Sequence, residues 1–249
     1  MKARHLFSGV LLCGVMIAGC SLSPLHRKIK VGQEPFVVFV ALGPDGKPDL
    51  FASAPVGGDA VRLTFTALRE SMPRLTPRGD MVAFLRDRSA GEGHDLVVMN
   101  LLSGAERLLE LPAEAGGITA LGWSSDQAAI YLQSAGGHWR VSAPPAALEI
   151  TLLDATSSAA SDSALMTVLG TPAFARAELC ASGGICVIGP SGTPSQVGEG
   201  GGKPFRWGSD SLAWFDDDVL MIRPLGPGST RRVSWEGVTG ATEGSYAEP

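Results

Sequence analysis

The sequence has few of the residue types from which catalytic and metal sites are built. It contains four histidines and four cysteines in 249 residues. His5 lies near the N-terminus, which leaves His26, His94 and His138. Neither the Gly-x-Ser-x-Gly motif of serine hydrolases nor the His-Glu-x-x-His motif of metalloproteases occurs. We therefore predict no catalytic residue, no bound metal and no cofactor.

Positive charge is also scarce. The chain has 20 Lys and Arg against 25 Asp and Glu, a formal net charge of −5. Because nucleic-acid binding depends on Lys and Arg that neutralise phosphates, this balance argues against a nucleic-acid partner.

The first twenty residues have the pattern of an export signal. Lys2 and Arg4 precede a short apolar run at 6–16, and Gly19 and Cys20 end it. The apolar run is shorter than the roughly 20 residues that a membrane-spanning helix needs. We therefore predict that this segment directs export and is removed.

The residues Ile-Ala-Gly-Cys at 17–20 resemble the lipobox of bacterial lipoproteins. That resemblance implies cleavage between Gly19 and Cys20 and attachment of lipid to the Cys20 sulfur, so that the membrane is a partner through this lipid. It predicts a signal peptide at 1–19, a lipid-anchored tether at 20–33 and a location in the bacterial cell envelope. Ser21 after the cysteine favours the outer membrane, with the protein facing the periplasm.

The tether contains a local basic segment at 25–30, which includes Arg27, Lys28 and Lys30. This segment has two interpretations. In the first it lies against anionic lipid headgroups, which attract each basic residue near the surface by about 1 kcal/mol. In the second it is a solvated tether.

Two cysteines remain for the exported part of the chain. Cys13 would leave with the signal and Cys20 would carry lipid, so Cys180 and Cys186 are the remaining thiols in an oxidising compartment. A Ser-Gly-Gly sequence between them predicts a hairpin turn. We predict a cross-strand disulfide between Cys180 and Cys186; a metal pair and a redox dithiol are the competing interpretations.

The remaining sequence reads as short strands and turns. Aromatic residues make up 6%, Gly and Pro are abundant, and long helical patterns are missing. The clearest unit, at 72–109, holds four strand segments, and weaker copies follow at 123–153, 172–197 and 204–235, after a first unit at 36–65. Repeats of about 40 residues with four strands each are typical of propeller blades.

We therefore predict an all-β fold, a β-propeller of five four-stranded blades, with six as the alternative. The propeller is assigned to 34–237 and a C-terminal tail to 238–249. Either residues 28–31 or the segment after Trp235 is expected to complete the first blade.

The repeat resembles a known family. The turn Thr-Pro-Arg-Gly-Asp at 76–80 is followed by an apolar strand and by Asp-Leu-Val-Val-Met-Asn at 95–100. This pattern is similar to the TolB-type (WD40-like) propeller repeat, with Thr76 and Arg78 in place of the consensus Ser and Asp. The resemblance implies a TolB-like β-propeller over residues 34–237.

Three further groups have a structural and a functional interpretation. His94 and His138 occupy similar positions in successive repeats, so we interpret them as repeat features rather than a metal pair. Residues 216–218, three aspartates, are interpreted as a hairpin turn, with calcium capture as the alternative. We assign the tryptophans at repeat positions to packing between blades, with a ligand platform as the alternative: Trp123, Trp207 and Trp214.

The predicted function is a non-enzymatic, membrane-anchored envelope propeller that serves as a scaffold for a protein or peptide partner. The alternative is an envelope enzyme or carbohydrate-binding protein that uses the central channel. A third hypothesis is a propeller with a purely structural role.

The assignment of Cys180 and Cys186 gives the first testable prediction. In the exported protein, thiol labelling is expected to leave both residues unmodified before reduction and to modify both afterwards. Mass spectrometry of the labelled peptides measures this, and labelling of either cysteine without reductant would contradict the disulfide.

Overall fold

A computed structural model describes residues 25, 27–89, 93–153, 176–188 and 192–249. Gly19, Cys20 and the connector at 154–163 lie outside the described residues. Within them no helix is long and apolar enough to cross a membrane. The helical content of these described residues is a single 3₁₀ turn at Ala113–Ala115. The strands of the described residues are β1 (Phe36–Leu42), β2 (Pro48–Ser53), β3 (Gly58–Asp59), β4 (Val61–Arg62), β5 (Glu70–Leu75), β6 (Met81–Asp87), β7 (His94–Asn100), β8 (Glu106–Glu110), β9 (Ile118–Trp123), β10 (Ala129–Ser134), β11 (Gly137–Ser142), β12 (Ile150–Leu153), β13 (Arg176–Leu179), β14 (Ile185–Ile188), β15 (Pro194–Gly198), β16 (Phe205–Trp207), β17 (Ser211–Asp216), β18 (Val219–Pro224), β19 (Arg231–Glu236) and β20 (Glu243–Ala247).

The strands form five sheets, and each sheet is one blade of a β-propeller. Blade 1 has the order β20-β1-β2-β4, blade 2 is β5-β6-β7-β8, and blade 3 is β9-β10-β11-β12. Blade 4 has three strands in the described residues, β13-β14-β15, and blade 5 has β16-β17-β18-β19 with β3 added at its outer edge. The prediction of a five-bladed all-β propeller is confirmed. Blades 4 and 5 differ from the predicted four strands, with three and five strands in the described residues.

Blade 1 is completed by the C-terminal end of the chain. Strand β20 pairs antiparallel with β1, with Phe36 opposite Ala247 and Val40 opposite Glu243. The propeller therefore extends to Ala247, and residues 238–249 are not a tail outside it. The physical reason is that β1 is buried along almost its whole length, so its inner edge needs a hydrogen-bonding partner.

A second link joins the two ends of the ring at the periphery. Strand β3, from blade 1, runs parallel to β19 of blade 5, with Gly58 opposite Trp235. The Trp235 Nε1 also donates a hydrogen bond to the carbonyl oxygen of Ala54 at 3.3 Å. Blades 1 and 5 are therefore joined on both their inner and outer sides.

The hydrophobic core lies between blades. One buried cluster joins blades 1 and 2, a second blades 5 and 1, a third blades 2 and 3, and a fourth blades 4 and 5. Trp123, Trp207 and Trp214 belong to these clusters and are 4%, 7% and 1% exposed. Their predicted role in packing between blades is therefore confirmed.

A network of polar side chains lies at the interface between blades 1 and 2. Arg86 donates from Nε to Glu70 Oε1 at 2.9 Å and from both terminal nitrogens to Glu106. The Thr64 hydroxyl donates to the other oxygen of Glu70. Burial raises the pKa of Glu70, while the hydrogen bonds from Thr64 and Arg86 oppose that rise.

The motif turn of the repeat is held by its own side chains. In blade 2 the Thr76 hydroxyl donates to Asp80 Oδ1 at 2.7 Å, and Gly79 N–H donates to the Thr76 carbonyl at 2.8 Å. In blade 3 the Ser124 hydroxyl, at the position of Thr76, donates to Asp126 Oδ1 at 2.6 Å, an acid two residues further on rather than four. A hydroxyl followed by an acid thus fixes the turn between the first two strands of a blade.

The predicted cysteine hairpin is present in blade 4. Strands β13 and β14 are joined by the turn at 180–184, and Cys180 and Cys186 form a disulfide with their Cα atoms 5.1 Å apart. This disulfide closes the hairpin of β13 and β14 in blade 4.

The tether assignment at 20–33 needs a correction at its C-terminal end. Leu25 and Ile29 are only 1% and 9% exposed, and they belong to the cluster between blades 1 and 2. A solvated tether is therefore the wrong description of this segment, because its apolar side chains complete the core.

Gly79 and Gly46 give a matched test of the packing at the closed ring. Both adopt positive φ, +70° and +72°, but a Cβ at Gly79 would lie 2.9 Å from Phe36 Cε1 while one at Gly46 would meet nothing within 4 Å. We expect Gly79→Ala to lower the free energy of unfolding by about 1–3 kcal/mol more than Gly46→Ala. Urea unfolding of the two variants measures this, and equal destabilisation would show that the Phe36 ring is not fixed there.

Candidate functional site: the central channel

The innermost strands of the five blades surround a channel with a volume of about 1140 Å³. Each strand contributes its penultimate residue to the wall, and these five residues therefore form one layer around the channel. The layer consists of Arg74 of β5, Gly122 of β9, Glu178 of β13, Arg206 of β16 and Tyr246 of β20.

The channel wall carries more basic than acidic side chains, three against two, although the protein as a whole is acidic. Arg74, Lys203 and Arg206 line it, together with the acids Glu178 and Glu248. Arg206 donates from Nε to the carbonyl oxygen of Gly208 at 2.6 Å. An anionic group in the channel would meet Arg74 of blade 2, Arg206 of blade 5 and Lys203 of the segment that precedes β16.

Arg74 is the most distinctive group of the site. Its Nη1 donates to the carbonyl oxygen of Pro73 at 2.7 Å, and in the described part of the chain no carboxylate makes an ion pair with it. Enclosure by the channel walls lowers the pKa of Arg74, and the charge of Glu243 acts in the opposite direction. A guanidinium stays protonated in a protein, so Arg74 places a cation with unused donors inside the channel.

Glu243 closes the blade 1 side of this arrangement. Its Oε1 accepts a hydrogen bond from Met72 N–H at 2.8 Å, which ties β20 to β5 of blade 2. Its buried Oε2 has no hydrogen-bond donor among the described residues, and Lys203 Nζ lies 3.4 Å away. The carboxylate therefore balances part of the positive charge and leaves Arg74 available.

Aromatic rings brace the same walls. Trp123 Nε1 donates to the carbonyl oxygen of Arg74 at 2.8 Å, which holds the backbone beneath that side chain. Tyr246 stacks on Trp207 with ring centroids 4.1 Å apart. Burial raises the pKa of Tyr246, as does the nearby Glu248, so its hydroxyl is a neutral hydrogen-bonding group at neutral pH.

The predicted alternatives for metal or acid chemistry do not converge on the channel. His94 Nδ1 lies 3.0 Å from Asp87 Oδ1, its register partner on β6, and His138 lies on β11 of another blade. Asp217 adopts φ +53° in the turn between β17 and β18, as the hairpin interpretation requires. Among the residues that the structure describes, no three His, Cys, Asp or Glu side chains are grouped so that they could hold a metal ion.

Arg74, Arg206 and Glu243 are not among the site residues predicted from the sequence. A usable signal was present for the first two. Arg74 comes two residues before Thr76 of the motif turn, and Arg206 has the equivalent place before the turn at 208–210. Once an inner strand is assigned, its penultimate residue is expected to face the channel because side chains alternate along a strand.

No protein-family model matches the sequence, and no curated protein matches it. Solved structures do resemble the fold. TolB from Acinetobacter baumannii aligns with 86% of this chain and 67% of its own, at a TM-score of 0.56 and 11% identity. A putative TolB from Agrobacterium tumefaciens aligns with 86% of this chain and 71% of its own, at 0.38 and 15%. The β-propeller domain of the Trilobed protease from Pyrococcus furiosus covers 80% of this chain and 56% of that one, at 0.34 and 16%. The similarity to the first shows a TolB-like β-propeller fold; at such identity it does not show a function.

Arg74 and Arg86 give a matched pair for a stability measurement. Arg86 is paired with two carboxylates, so Arg86→Met is expected to cost about 3–5 kcal/mol by leaving buried Glu70 without its cation. Arg74→Met breaks no ion pair, and we expect a change of about 1 kcal/mol or less. Chemical unfolding of both variants tests this, and a loss at Arg74 as large as that at Arg86 would assign Arg74 to the fold rather than to a ligand.

Proposed function

We propose that this chain is a lipid-anchored protein of the bacterial cell envelope that binds a protein or peptide partner and catalyses no reaction. The observation that carries the binding part is Arg74, a cation inside a wide channel that makes no ion pair in the described residues. Holding a charge in such a place has a desolvation cost, and a ligand carboxylate would offset it.

The anchored location rests on the sequence. The Ile-Ala-Gly-Cys sequence at 17–20 provides the lipidation site at Cys20 with cleavage after Gly19. A single acyl chain binds membranes only marginally, whereas two or three chains hold a protein there. Ser21 favours the outer membrane as the final location.

The binding mode follows from the channel walls. The side chain or terminal carboxylate of an acidic peptide segment would accept hydrogen bonds from Arg74, with Lys203 and Arg206 adding to the positive field. Leu179, which is 46% exposed, and the partly exposed Tyr246 offer apolar surface for the flanking side chains. A channel of about 1140 Å³ admits a peptide segment rather than a folded domain.

The proposal of a non-enzymatic role rests on the same walls. In the described residues the channel wall has no histidine or cysteine, and its cations are arginines and a lysine that suit anion recognition. The carbohydrate-binding alternative predicts a different result in the experiment below, because neutral sugars do not require a guanidinium.

The test is a binding measurement on a panel of short peptides with and without acidic residues, with neutral oligosaccharides as the comparison. We expect binding of acidic peptides that weakens at least tenfold in Arg74→Met, since a charge-assisted bidentate contact contributes about 1.5–3 kcal/mol. Arg140→Met, at an exposed position of β11 outside the channel, serves as the control and should bind as the parent protein does. Calorimetric titration measures all of these.

Two results would contradict the proposal. Peptide affinity that is the same in Arg74→Met and in the parent would remove the channel cation from recognition. Saturable binding of oligosaccharides with no binding of peptides would favour the carbohydrate alternative.

A further inference from the structure

We propose that one corner of the propeller, where the N-terminal segment docks between blades 1 and 2, rests on an anionic lipid bilayer, so that a partner enters the channel from the opposite mouth. This inference deepens the proposed function and rests on the lipidation of Cys20.

The N-terminal segment is fixed to the propeller from Leu25 onward. Leu25 and Ile29 are buried in the core between blades 1 and 2. The Leu25 carbonyl accepts hydrogen bonds from the N–H groups of Lys28 and Ile29 at 2.9 and 3.1 Å, and the Lys30 ammonium pairs with Glu34 at 2.8 Å. We call residues 25–34 the docking segment.

The docking segment lies at the end of the propeller where the inner strands finish. A Cβ on Gly32 would lie 3.8 Å from the carbonyl oxygen of Arg78, in the turn that follows β5. That turn is bonded to the next one, since Leu101 N–H donates to the Asp80 carbonyl at 2.9 Å. The docking segment and the turns at 76–80 and 101–105 therefore share one corner, which we call the anchor corner.

The distance from the lipid to this corner is short. Leu25 is five positions after Cys20, and a fully extended chain covers at most about 3.6 Å per residue, or roughly 18 Å. A lipid on Cys20 in the bilayer would therefore keep the anchor corner within reach of the headgroups. Because the docking segment is packed into the core, the attachment point of the lipid is fixed at this corner of the propeller.

The chemistry of the anchor corner suits an anionic surface. Arg27, Lys28 and Lys30 are exposed, and the Arg78 side chain is 72% exposed. The neighbouring acids Glu34 and Asp80 lie within ion-pair distance of Lys30 and Arg78. Leu102, at the tip of the turn at 101–105, is 62% exposed. Anionic headgroups attract clustered cations, by about 1 kcal/mol per basic residue near the surface. An exposed leucine beside them can insert among the headgroups.

The orientation decides which end of the channel is free. The mouth beside the turns at 76–80 and 208–210 would face the bilayer. The opposite mouth, where β20 begins at Glu243 and where Lys203 lies, would face the aqueous space. A partner segment would therefore meet Lys203 first and Arg74 deeper in the channel.

The experiment uses the full-length lipidated protein, reconstituted into vesicles of phosphatidylethanolamine and phosphatidylglycerol. Hydrogen–deuterium exchange is compared with the same protein in a nonionic detergent. We expect exchange to slow several-fold in the turns at 76–80 and 101–105, and to stay unchanged in the turns at 43–47 and 217–218 of the opposite side. Slowing at the opposite side, or at neither side of vesicle-bound protein, would overturn the orientation.

Matched charge reversals test the role of the cations. Lys28→Glu with Arg78→Glu is expected to reduce the protection of the two turns, whereas Arg140→Glu with Arg232→Glu, both exposed and outside the anchor corner, should leave it unchanged. If the two double variants reduced this protection equally, the cations of the anchor corner would not be what binds the bilayer. Leu25→Ser with Ile29→Ser should keep vesicle attachment but lose the protection, with thermal unfolding as the check that the propeller remains folded.

A separate measurement distinguishes failure of the proposed lipid anchor from failure of the proposed orientation. The mass of the N-terminal peptide reports the lipid on Cys20 independently of exchange. An unmodified Cys20 would overturn the anchoring and the orientation together, whereas a lipidated protein without protected turns would overturn the orientation alone.

Discussion

The pairing of β20 with β1 is the interaction on which the ring depends. Without it, β1 would present an unpaired edge inside the protein, although nearly all of its residues are buried. The pairing also brings Glu243 and Ser245 against β5, where they accept hydrogen bonds from Met72 and Leu75 N–H groups. Blade 1 is thereby joined to blade 2 at the same strand that completes it.

The closed ring explains why the core lies between blades rather than within one. A single blade is a small twisted sheet with two apolar faces and no interior. Burial comes from neighbours on both faces: Phe36 of blade 1 shares a buried cluster with Phe84 of blade 2, and Phe39 of blade 1 shares one with Phe215 of blade 5. Stability is therefore shared around the ring, and the docking segment adds Leu25 and Ile29 to one of these interfaces.

Much of the fold was accessible from the sequence because the repeat carries its own local chemistry. The hydroxyl and acid of the motif turn, Thr76 with Asp80 and Ser124 with Asp126, fix where the second strand of a blade starts. The pairing of Cys180 with Cys186 followed from the turn between them. Local patterns of this kind depend on a few neighbouring residues and need no knowledge of the ring.

The closing strand and the channel groups were harder to predict for a shared physical reason. Strand β20 reads Glu-Gly-Ser-Tyr-Ala, without the apolar run of the second strands β1 and β6, because one side of an inner strand faces the channel. Its partner β1 is far away in sequence, so no local sequence pattern predicts the pairing. Arg74 and Glu243 are likewise brought together only when the ring closes.

The closing strand also sets an order of events in folding. Phe36 and Ala247 are register partners but are separated by about 210 residues, a contact of very high sequence separation. Blades 2 and 3 can pair their own strands as soon as those strands exist, whereas blade 1 lacks its inner strand until β20 has been synthesised. The nascent chain therefore remains an open arc until β20 is available, and the channel forms only when β20 pairs with β1.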